Sequence, residues 1–384
     1  MQKRNIPISL PVTGDAEWQA TRECFESGWL TSGPKVREFE TAFAKRHGVK
    51  HALAVTSATT ALHLALVALG VGPGDEVIVP AFTWVSTANV VIHCGANVVF
   101  VDIDPVTFNL DPAKLKAAIT SKTKAIMVVH LFGLCADMDS IKAIAGSIPL
   151  VEDGACAAGA AYKGTPAGAL GIIGCFSFHP RKSVTTGEGG MLTTNDDQLG
   201  ELMSSLRNHG ASISEEQRHH GAQPYILPAF DHVGYNYRMT DLQGAVGVVQ
   251  LARLDEFIQE RAKWAGFYAE KLADLDWLRL PTSFIQEQGN FYSHGWQSFV
   301  TMIDESKSPL SRNSIMARLQ ELGVSTRPGT HAVHMLNCYS KPMEIKPADF
   351  PGAQQANDYS MSIPLHNRMT EEDYQYVVWC LHNL

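Results

Sequence analysis

Short apolar runs alternate with stretches of helical periodicity along the first 155 residues of the chain. The apolar runs predict strands over residues 51–55, 72–80 (a turn and then a strand), 97–104, 124–133 and 149–155. Apolar positions that recur about every 3.6 residues predict helices over residues 59–70, 85–95, 111–119 and 138–146. Strands this apolar are buried on both faces, so the alternation indicates an α/β fold with a mostly parallel sheet between helices.

The pattern changes after about residue 245, where strands become rare. Helical periodicity predicts one long amphipathic helix over residues 251–275. The later elements predicted are a strand over 296–303, a helix over 311–323 with Ser311 as its cap, and a final helix over 370–384. We therefore expect a large domain over residues 1–245 and a smaller α+β domain over residues 246–384.

Charge and cysteine content narrow the class of protein. The chain of 384 residues has a formal net charge of -8, which argues against nucleic acid or an anionic membrane as its main partner. Its cysteines are scattered without a CxxC pair, so we expect no metal site, reduced thiols and a cytoplasmic location. The first residues lack the apolar core of a signal peptide, and no run approaches the length of a membrane span.

Polar residues follow several of the predicted strands where each strand ends. In open α/β sheets the carboxyl ends of parallel strands meet at one edge, which is where ligands bind. The polar residues predicted at this edge are Ser57, Thr59, Asp102, Asp104, His130, Asp153 and Lys182. The segment 209–233, rich in His, Gln and Pro, is too long for an ordinary loop, and we expect it to contribute to substrate specificity.

Three of these features carry specific chemistry, and each also has a simpler explanation. The helix start after "AVTSATT" offers free N–H groups to a phosphate, but Ser57 or Thr59 could merely cap the helix. Asp153 could hold a cationic ring nitrogen or cap a helix. Lys182 could be a nucleophile or a structural lysine, and the glycines at 187, 189 and 190 would let a ligand approach the backbone. Together, a phosphate site, a strand-end aspartate and a buried lysine are what pyridoxal phosphate (PLP) requires.

Several blocks of the sequence resemble the DegT/DnrJ/EryC1/StrS family of sugar aminotransferases. The matching blocks, in order, are "SGWLTSGPKVREFE", "SATTALHLALVALGVGPGDEVIVPAFTWVST", "DMDSIKAIA", "SFHPRKSVTTGEGGM" and "GYNYRMTDLQGAVGVVQL". The resemblance covers nearly the whole chain. It implies the fold type I architecture of PLP-dependent transferases, with a mostly parallel, seven-stranded type of sheet and a smaller C-terminal domain.

The resemblance assigns the cofactor contacts. Lys182 matches the Schiff-base lysine that also carries the proton, and Asp153 matches the partner of the pyridine nitrogen. The other implied contacts are Ala58, Thr59 and Ser177 to the phosphate, Trp84 stacked on the ring, and Asn236 reaching the phosphate from a second subunit. Trp84 could instead be a core tryptophan. Cys156 departs from the family, which usually has Gln, His or Glu near the phenolic oxygen of the cofactor, and a thiol is a weaker hydrogen-bond partner.

The resemblance also implies substrate contacts and a homodimer with shared sites. The candidates are Trp29, Thr31, Gly187, Glu188, Arg238 (lent by the other subunit), Arg327, His331 and His334. His331 and His334 could equally be ordinary loop residues. The triplet "HPR" before Lys182 differs from the small residues common there, so we expect Arg181 to meet a substrate anion.

These matches imply a transaminase that takes the amino group from L-glutamate, with pyridoxamine 5'-phosphate as the intermediate cofactor form. The expected acceptor is a keto group on a nucleotide-activated sugar, most simply a 4-keto-6-deoxyhexose, in amino-sugar, polysaccharide or lipopolysaccharide biosynthesis. Related dehydratases replace the lysine with histidine, so Lys182 disfavours that reaction. A keto-cyclitol aminotransferase and a non-catalytic ligand-binding protein of the same fold remain as alternatives.

Overall fold

A computed structural model gives the fold over residues 2–213, 225, 227–282 and 293–384. The strands are β1 (His51–Val55), β2 (Glu76–Pro80), β3 (Phe82–Thr83), β4 (Asn97–Val101), β5 (Thr123–Val129), β6 (Leu150–Asp153), β7 (Ala161–Tyr162), β8 (Thr165–Pro166), β9 (Ile173–Ser177), β10 (Gly190–Thr194), β11 (Leu278–Arg279), β12 (Phe299–Ile303), β13 (His331–Ala332) and β14 (Ser360–Ile363). The helices are α1 (Asp15–Ser27), α2 (Pro34–His47), α3 (Ala58–Ala68), α4 (Ser86–His93), α5 (Pro112–Ala118), α6 (Met138–Ala145), α7 (Asp197–Leu206), α8 (Asp241–Ala252), α9 (Leu254–Lys271), α10 (Arg312–Glu321), α11 (Asn337–Ser340), α12 (Pro351–Tyr359) and α13 (Glu371–His382).

The large sheet has seven strands in the order β1-β10-β9-β6-β5-β2-β4. The strands from β9 to β4 are parallel, whereas β10 runs antiparallel to both β1 and β9. Alternate side chains of the central strand β2 pack on opposite faces of the sheet. Val77 and Val79 belong to one buried hydrophobic cluster, and Ile78 belongs to another. This arrangement confirms the predicted α/β fold with a mostly parallel sheet buried on both faces.

The strand predicted over residues 124–133 is shorter than expected. β5 ends at Val129, and Leu131–Gly133 form a 3₁₀ turn in which Phe132 has a φ of 58°. Leu131 and Phe132 are nevertheless buried, so the apolar run continues beyond the strand. Hydrophobicity reports burial here and cannot locate the end of the strand.

The helix predicted over residues 251–275 is wrong in its extent. The structure has two helices, because α8 ends at Ala252 and α9 runs over Leu254–Lys271. Arg253 between them has φ -100° and ψ 0°. Leu251 and Leu254, on either side of the break, are both buried. The spacing of apolar residues therefore does not indicate that one helix ends and another begins here.

The C-terminal part has its own core. α9, α10 and α13 pack around the sheet β11-β12-β14, and their buried side chains form a third cluster that also includes Ile6. The predicted final elements are confirmed, including Ser311, whose hydroxyl accepts a bond from the N–H of Ser314. The predicted boundary at residue 245 lies within α8, and the division into two domains stays a prediction.

Within the described residues, no helix is both long and apolar enough to cross a membrane.

Candidate active site

A cavity of about 670 Å³ lies at the carboxyl edge of the parallel strands. Its walls come from the start of α3, the ends of β6 and β9, and residues 327–331 and 362–365 of the C-terminal part. The predicted site residues that line it are Ala58, Thr59, Trp84, Asp153, Cys156, Ser177, Lys182, Glu188, Arg327 and His331. The fold therefore brings together residues separated by more than 250 positions in the sequence.

Lys182 lies on a tight turn just after β9. Its N–H donates to the carbonyl of His179 at 2.8 Å, which fixes the backbone of the turn. The side chain is half-buried and places Nζ 3.2 Å from Sγ of Cys156. The residue that departs from the family pattern is thus in direct contact with the predicted catalytic amine.

Asp153 ends β6 as a buried carboxylate that faces the cavity, only 4% exposed. Oδ2 accepts a hydrogen bond from Thr87 Oγ1 at 2.8 Å, and Oδ1 accepts one from the N–H of Ala155 at 3.2 Å. No helix begins at this turn, so the helix-cap explanation for Asp153 is wrong. These two donors satisfy only part of the hydrogen-bonding capacity of the Asp153 carboxylate. A buried negative charge beside a cavity favours a cationic group on the ligand.

The start of α3 combines a capped helix with free donors. The Ser57 hydroxyl accepts from the N–H of Thr60 at 3.2 Å, so the capping explanation holds for Ser57. Among the described residues, no acceptor meets the N–H groups of Ala58 and Thr59, and both residues line the cavity. Ser177 lies on the same lining at the end of β9. Two free N–H groups at a helix start together with nearby hydroxyls suit a phosphate.

These residues fit PLP group by group. Asp153 can face the protonated ring nitrogen, Lys182 can hold the aldehyde, and the α3 start can bind the phosphate. Trp84 is 56% exposed and lies on the cavity wall, so the alternative of a core tryptophan is wrong. Its indole is available to cover a ring, and its centroid lies 5.4 Å from the ring of His331.

The glycines after Lys182 are explained mainly by contacts within the protein. A Cβ atom at Gly190 would lie 2.4 Å from the backbone of Ser57, and one at Gly189 would lie 2.3 Å from Thr186 Oγ1. Gly187 has a φ of 82° and open space around it. Contacts within the chain are thus sufficient to explain Gly189 and Gly190, and the expectation that these glycines admit a ligand stays a prediction.

Some predicted residues lie outside the lining of this cavity. The exposed Asn236 and the half-buried Arg238 follow the long segment, and Arg238 donates to Oδ1 of Asn208 at 2.9 Å. Trp29 donates to the carbonyl of Ser32 at 3.4 Å near the start of α2. Thr31 and Gly187 are exposed, and neither lines the cavity within the described part of the chain. Their predicted substrate and cofactor contacts stay predictions.

His334 has an environment unfavourable for binding substrate. Its side chain is 0% exposed, Nε2 lies 3.2 Å from the carbonyl of Pro347, and the ring packs 4.8 Å from that of Phe350. Burial lowers the pKa of His334, so the imidazole is neutral near pH 7. His334 is therefore better explained as a histidine without a role in binding, whereas His331 lines the cavity.

Three polar residues predicted at the sheet edge have structural roles. Asp102 accepts the N–H groups of Gly352 and Ala353 at 2.8 Å each, which anchors the start of α12. Asp104 accepts the N–H of Val106 in a local turn at 2.8 Å. His130 is fully buried, with Nε2 2.9 Å from Oε2 of Glu152. None of the three lines the cavity, so the expected convergence on one edge is wrong for them.

Sequence reasoning missed Thr87, Glu152 and Gln297. Thr87 bonds Asp153, and Gln297 lines the cavity and donates to the carbonyl of Arg181 at 2.9 Å. Glu152 is a fully buried carboxylate that accepts from the N–H groups of Gly168 and Leu170 at 2.6 and 2.8 Å. Of these three residues, only Glu152 could have been recognised from the sequence, because it is a second acidic residue within the apolar strand "LVED".

Known proteins resemble this chain over nearly its whole length. The sequence pattern of the DegT/DnrJ/EryC1/StrS aminotransferase family matches residues 11–382. The chain belongs to this family. Spore coat polysaccharide biosynthesis protein SpsC of Bacillus subtilis is 41% identical over 389 residues, covering 100% of this chain and 98% of SpsC. GDP-perosamine synthase of Caulobacter vibrioides is 41% identical over 379 residues, covering 98% and 97%.

The structural similarity is equally broad. The PLP form of Spr1654 from Streptococcus pneumoniae, described as a sugar aminotransferase, superposes with a TM-score of 0.88 at 29% identity, covering 99% of this chain and 98% of Spr1654. Membership of the DegT/DnrJ/EryC1/StrS family confirms the predicted family, the PLP-dependent fold and an aminotransferase activity that uses PLP. The roles predicted for single residues stay predictions.

Proposed function

We propose that the protein transfers an amino group from L-glutamate to a keto group of a nucleotide-linked sugar, most simply a 4-keto-6-deoxyhexose. The observation that carries the proposal is the convergence of Lys182, Asp153 and the α3 start on one cavity. Relatives named for polysaccharide biosynthesis and for GDP-perosamine synthesis, each 41% identical, support a sugar acceptor.

The protein's own groups have distinct tasks in this reaction. PLP supplies an aldehyde that binds an amino group and a ring that accepts electrons. Asp153, held by Thr87 and buried, keeps a proton on the ring nitrogen through its negative charge. Nζ of Lys182 takes the proton from the carbon that bears the donor's amino group, and the half-buried turn limits its access to water.

Loss of the lysine is the direct test of this mechanism. Lys182→Ala should lose turnover with L-glutamate and a nucleotide-linked 4-keto sugar, measured by mass spectrometry of the aminated product. Lys307→Ala, an exposed lysine near Asp276, is the matched control and should retain full turnover. Full turnover in Lys182→Ala would overturn the mechanism.

The acceptor class needs a separate experiment. A panel of keto sugars with and without a nucleotide, together with keto-cyclitols, should show amination of nucleotide-linked sugars alone. Preferential amination of a keto-cyclitol would favour the alternative. Cofactor binding without any reaction with L-glutamate would favour the non-catalytic alternative.

We also propose a homodimer in which each subunit lends Asn236 and Arg238 to its partner's cavity. Their position outside the cavity of their own chain supports this. Co-expression of Lys182→Ala chains with Arg238→Ala chains tests it, because a mixed dimer with shared sites regains one intact site. Sites built from a single chain would leave every mixed dimer inactive.

The predicted role of the segment 209–233 in substrate preference belongs to the same proposal. Residues 214–224 and 226 of the segment lie outside the described residues. Replacing the segment with that of a relative should change the preferred sugar in the acceptor panel, and an unchanged preference would refute this role. We place the enzyme in the cytoplasm, which its seven free cysteines support.

A further inference from the structure

Arg261 of α9 is a buried cation that forms no ion pair with any described carboxylate. Its side chain is only 4% exposed, and the neighbouring Glu260 accepts a hydrogen bond from Nδ2 of Asn367 at 2.7 Å instead. Burial lowers the pKa of Arg261 to about 10, so the guanidinium is still charged near pH 7. A buried charge is costly, and a well-packed apolar side chain is often at least as stabilising in its place. Stability alone therefore does not explain an arginine at this position.

The guanidinium of Arg261 binds three separate segments of the chain. Nε donates to Oδ1 of Asn367 at 2.7 Å, just after the cavity-lining residues 362–365. Nη1 donates to Oγ of Ser183 and to the carbonyl of Trp296, each at 3.4 Å. Neither Arg261 nor any of these three partners lines the cavity, so the arginine connects parts of its wall from behind.

Two of these contacts hold the turn that carries Lys182. Ser183, which is 5% exposed, directly follows Lys182 in the sequence. On the other side, Nε2 of Gln297 donates at 2.9 Å to the carbonyl of the residue directly before Lys182. Gln297 follows Trp296, whose carbonyl binds Arg261. Arg261 therefore binds the turn directly at Ser183 and also binds the segment that holds the turn from the other side.

The backbone of Trp296 needs this support. Its φ of 45° is a left-handed conformation, which is costly for a residue with a side chain. Its N–H donates to Nδ1 of His294 at 2.8 Å, and its ring stacks on the ring of His294 at 4.0 Å. The carbonyl of the same residue accepts from Arg261. The buried cation thus helps to hold a strained segment in the arrangement that brings Gln297 to the cavity.

We propose that Arg261 is a positioning residue for Lys182, which fixes the turn of the reactive amine against the C-terminal part. Arginine suits this role because one planar group carries donors for several acceptors. A misplacement of about 1 Å can cost about a hundredfold in rate even when its cause lies far from the reacting atoms. This inference rests on the proposed function, in which Lys182 carries the reactive amine.

The rate at which added PLP becomes linked to Lys182 in cofactor-free protein reports directly on the position of the amine. Borohydride trapping and peptide mass spectrometry identify the linked lysine. Arg261→Met should slow the linkage by about ten- to a hundredfold. In the loaded enzyme, the same variant should lower kcat to a similar extent and leave the KM for L-glutamate within about twofold, because Arg261 does not touch the substrate.

Arg312→Met is the matched control, because Arg312 is a second buried arginine in the C-terminal part. It is 9% exposed, and Nη1 donates to the carbonyls of Asn357 and Ser360 at 3.2 and 2.9 Å, neither of which lines the cavity. Its loss should lower stability in urea unfolding and leave the linkage rate unchanged. Equal slowing of the linkage in both variants would indicate a general loss of packing and would overturn the positioning role.

Ser183→Ala tests the contact between Arg261 and the turn with a smaller change. It should slow the linkage by about two- to tenfold, the effect of one hydrogen bond. Its addition to Arg261→Met should cause no further loss, because both variants remove the same contact. Arg261→Lys keeps the charge without the fork, and it replaces Arg261→Met in this comparison if that variant does not fold. Additive losses, or a parental linkage rate in the Arg261 variant, would overturn the proposal.

The linkage experiment also separates this inference from the proposed function. A parent protein that never links PLP to Lys182 would remove the proposed function and the positioning role with it. Linkage and turnover in the parent protein, with the same rates in the Arg261 variants, would retain the proposed function and remove only the role of Arg261.

Discussion

The amine of Lys182 and the thiol of Cys156 lie 3.2 Å apart in the cavity, so a ligand bound to the lysine also covers the cysteine. Most of the other thiols are buried, and burial raises the pKa of Cys24, Cys94 and Cys380. Cys338, in contrast, is exposed. Cys156 is thus the thiol whose accessibility should depend most directly on the cofactor.

We predict that iodoacetamide alkylates Cys156 in cofactor-free protein and that bound PLP prevents this. Cys338 should react in both forms and serves as the internal control. Peptide mapping by mass spectrometry measures both sites. Equal alkylation of Cys156 with and without PLP would place the cofactor elsewhere.

A second residue-scale prediction concerns Thr87. Thr87→Val removes the hydroxyl that donates to Asp153 at 2.8 Å, and a hydrogen bond to a charged group is typically worth about 1.5–3 kcal/mol. The carboxylate then loses part of its support, and we expect about tenfold weaker PLP binding in a fluorescence titration. Thr301→Val removes a buried hydroxyl bonded to Met361 in the small sheet and should leave PLP affinity unchanged. Equal affinities in both variants would contradict the assigned role of Asp153.

At the scale of elements, one packing contact positions the predicted phosphate site. Gly190 begins β10, pairs with Val55 of β1 and Ser177 of β9, and lies against the backbone of Ser57. The approach of this strand to the start of α3 thus depends on a residue without a side chain.

We predict that Gly190→Ala displaces the start of α3, because its Cβ would lie 2.4 Å from the carbonyl carbon of Ser57. The expected cost is about 1–3 kcal/mol of stability, measured by urea unfolding, together with weaker PLP binding. Gly266→Ala is the control, since this exposed helical glycine has no atom within 4 Å of an added Cβ. The control should stabilise the protein by up to about 1 kcal/mol. Unaltered PLP binding in Gly190→Ala would contradict the predicted phosphate site.

The sequence predicted β1, β2, β4, β5 and β6 of the large sheet because each is an apolar run bounded by polar turns. Its failures have one physical origin, since burial continues where secondary structure stops. The apolar spacing passes through Arg253 between two helices, and Leu131 is buried in a turn after β5. Hydrophobic periodicity carries no information about such breaks.

At the scale of the whole molecule, stability should depend on several histidines buried in neutral form. Burial lowers the pKa of His47 to about 4, that of His294 to about 3 and that of His366 to about 4. Their ordinary pKa is about 6.5, so below that pH the unfolded chain binds more protons than the folded one. The free energy of unfolding should therefore be insensitive to these groups above pH 6.5 and fall as the pH decreases toward 4.

The variant His47→Phe tests this dependence, because the ring packs 4.2 Å from that of Phe43. It should be less stable at pH 7.5, where it lacks the bond to the carbonyl of Ala167. Urea midpoints should nevertheless fall less steeply for it than for the parent protein between pH 6.5 and 5. An identical slope in both proteins would show that His47 does not titrate on unfolding.

The site was predictable only in part. Asp153 and the α3 start were recognisable because one ends a predicted strand and the other begins a predicted helix, and Lys182 was recognisable from the matching block "SFHPRKSVTTGEGGM". Thr87 reaches Asp153, and Gln297 reaches the cavity, through tertiary packing that no local pattern records. The prediction that Asp102 lies in the site failed for the same reason, because this residue bonds the start of α12, 250 positions away in the sequence.

The absorption spectrum of the purified protein before and after addition of L-glutamate tests the central claim most directly. We predict a visible band from cofactor held by Lys182, which disappears with L-glutamate as a near-ultraviolet band of the pyridoxamine form appears. A protein that stays colourless after incubation with PLP, or a visible band that L-glutamate does not change, would contradict the assignment of this cavity as an aminotransferase site.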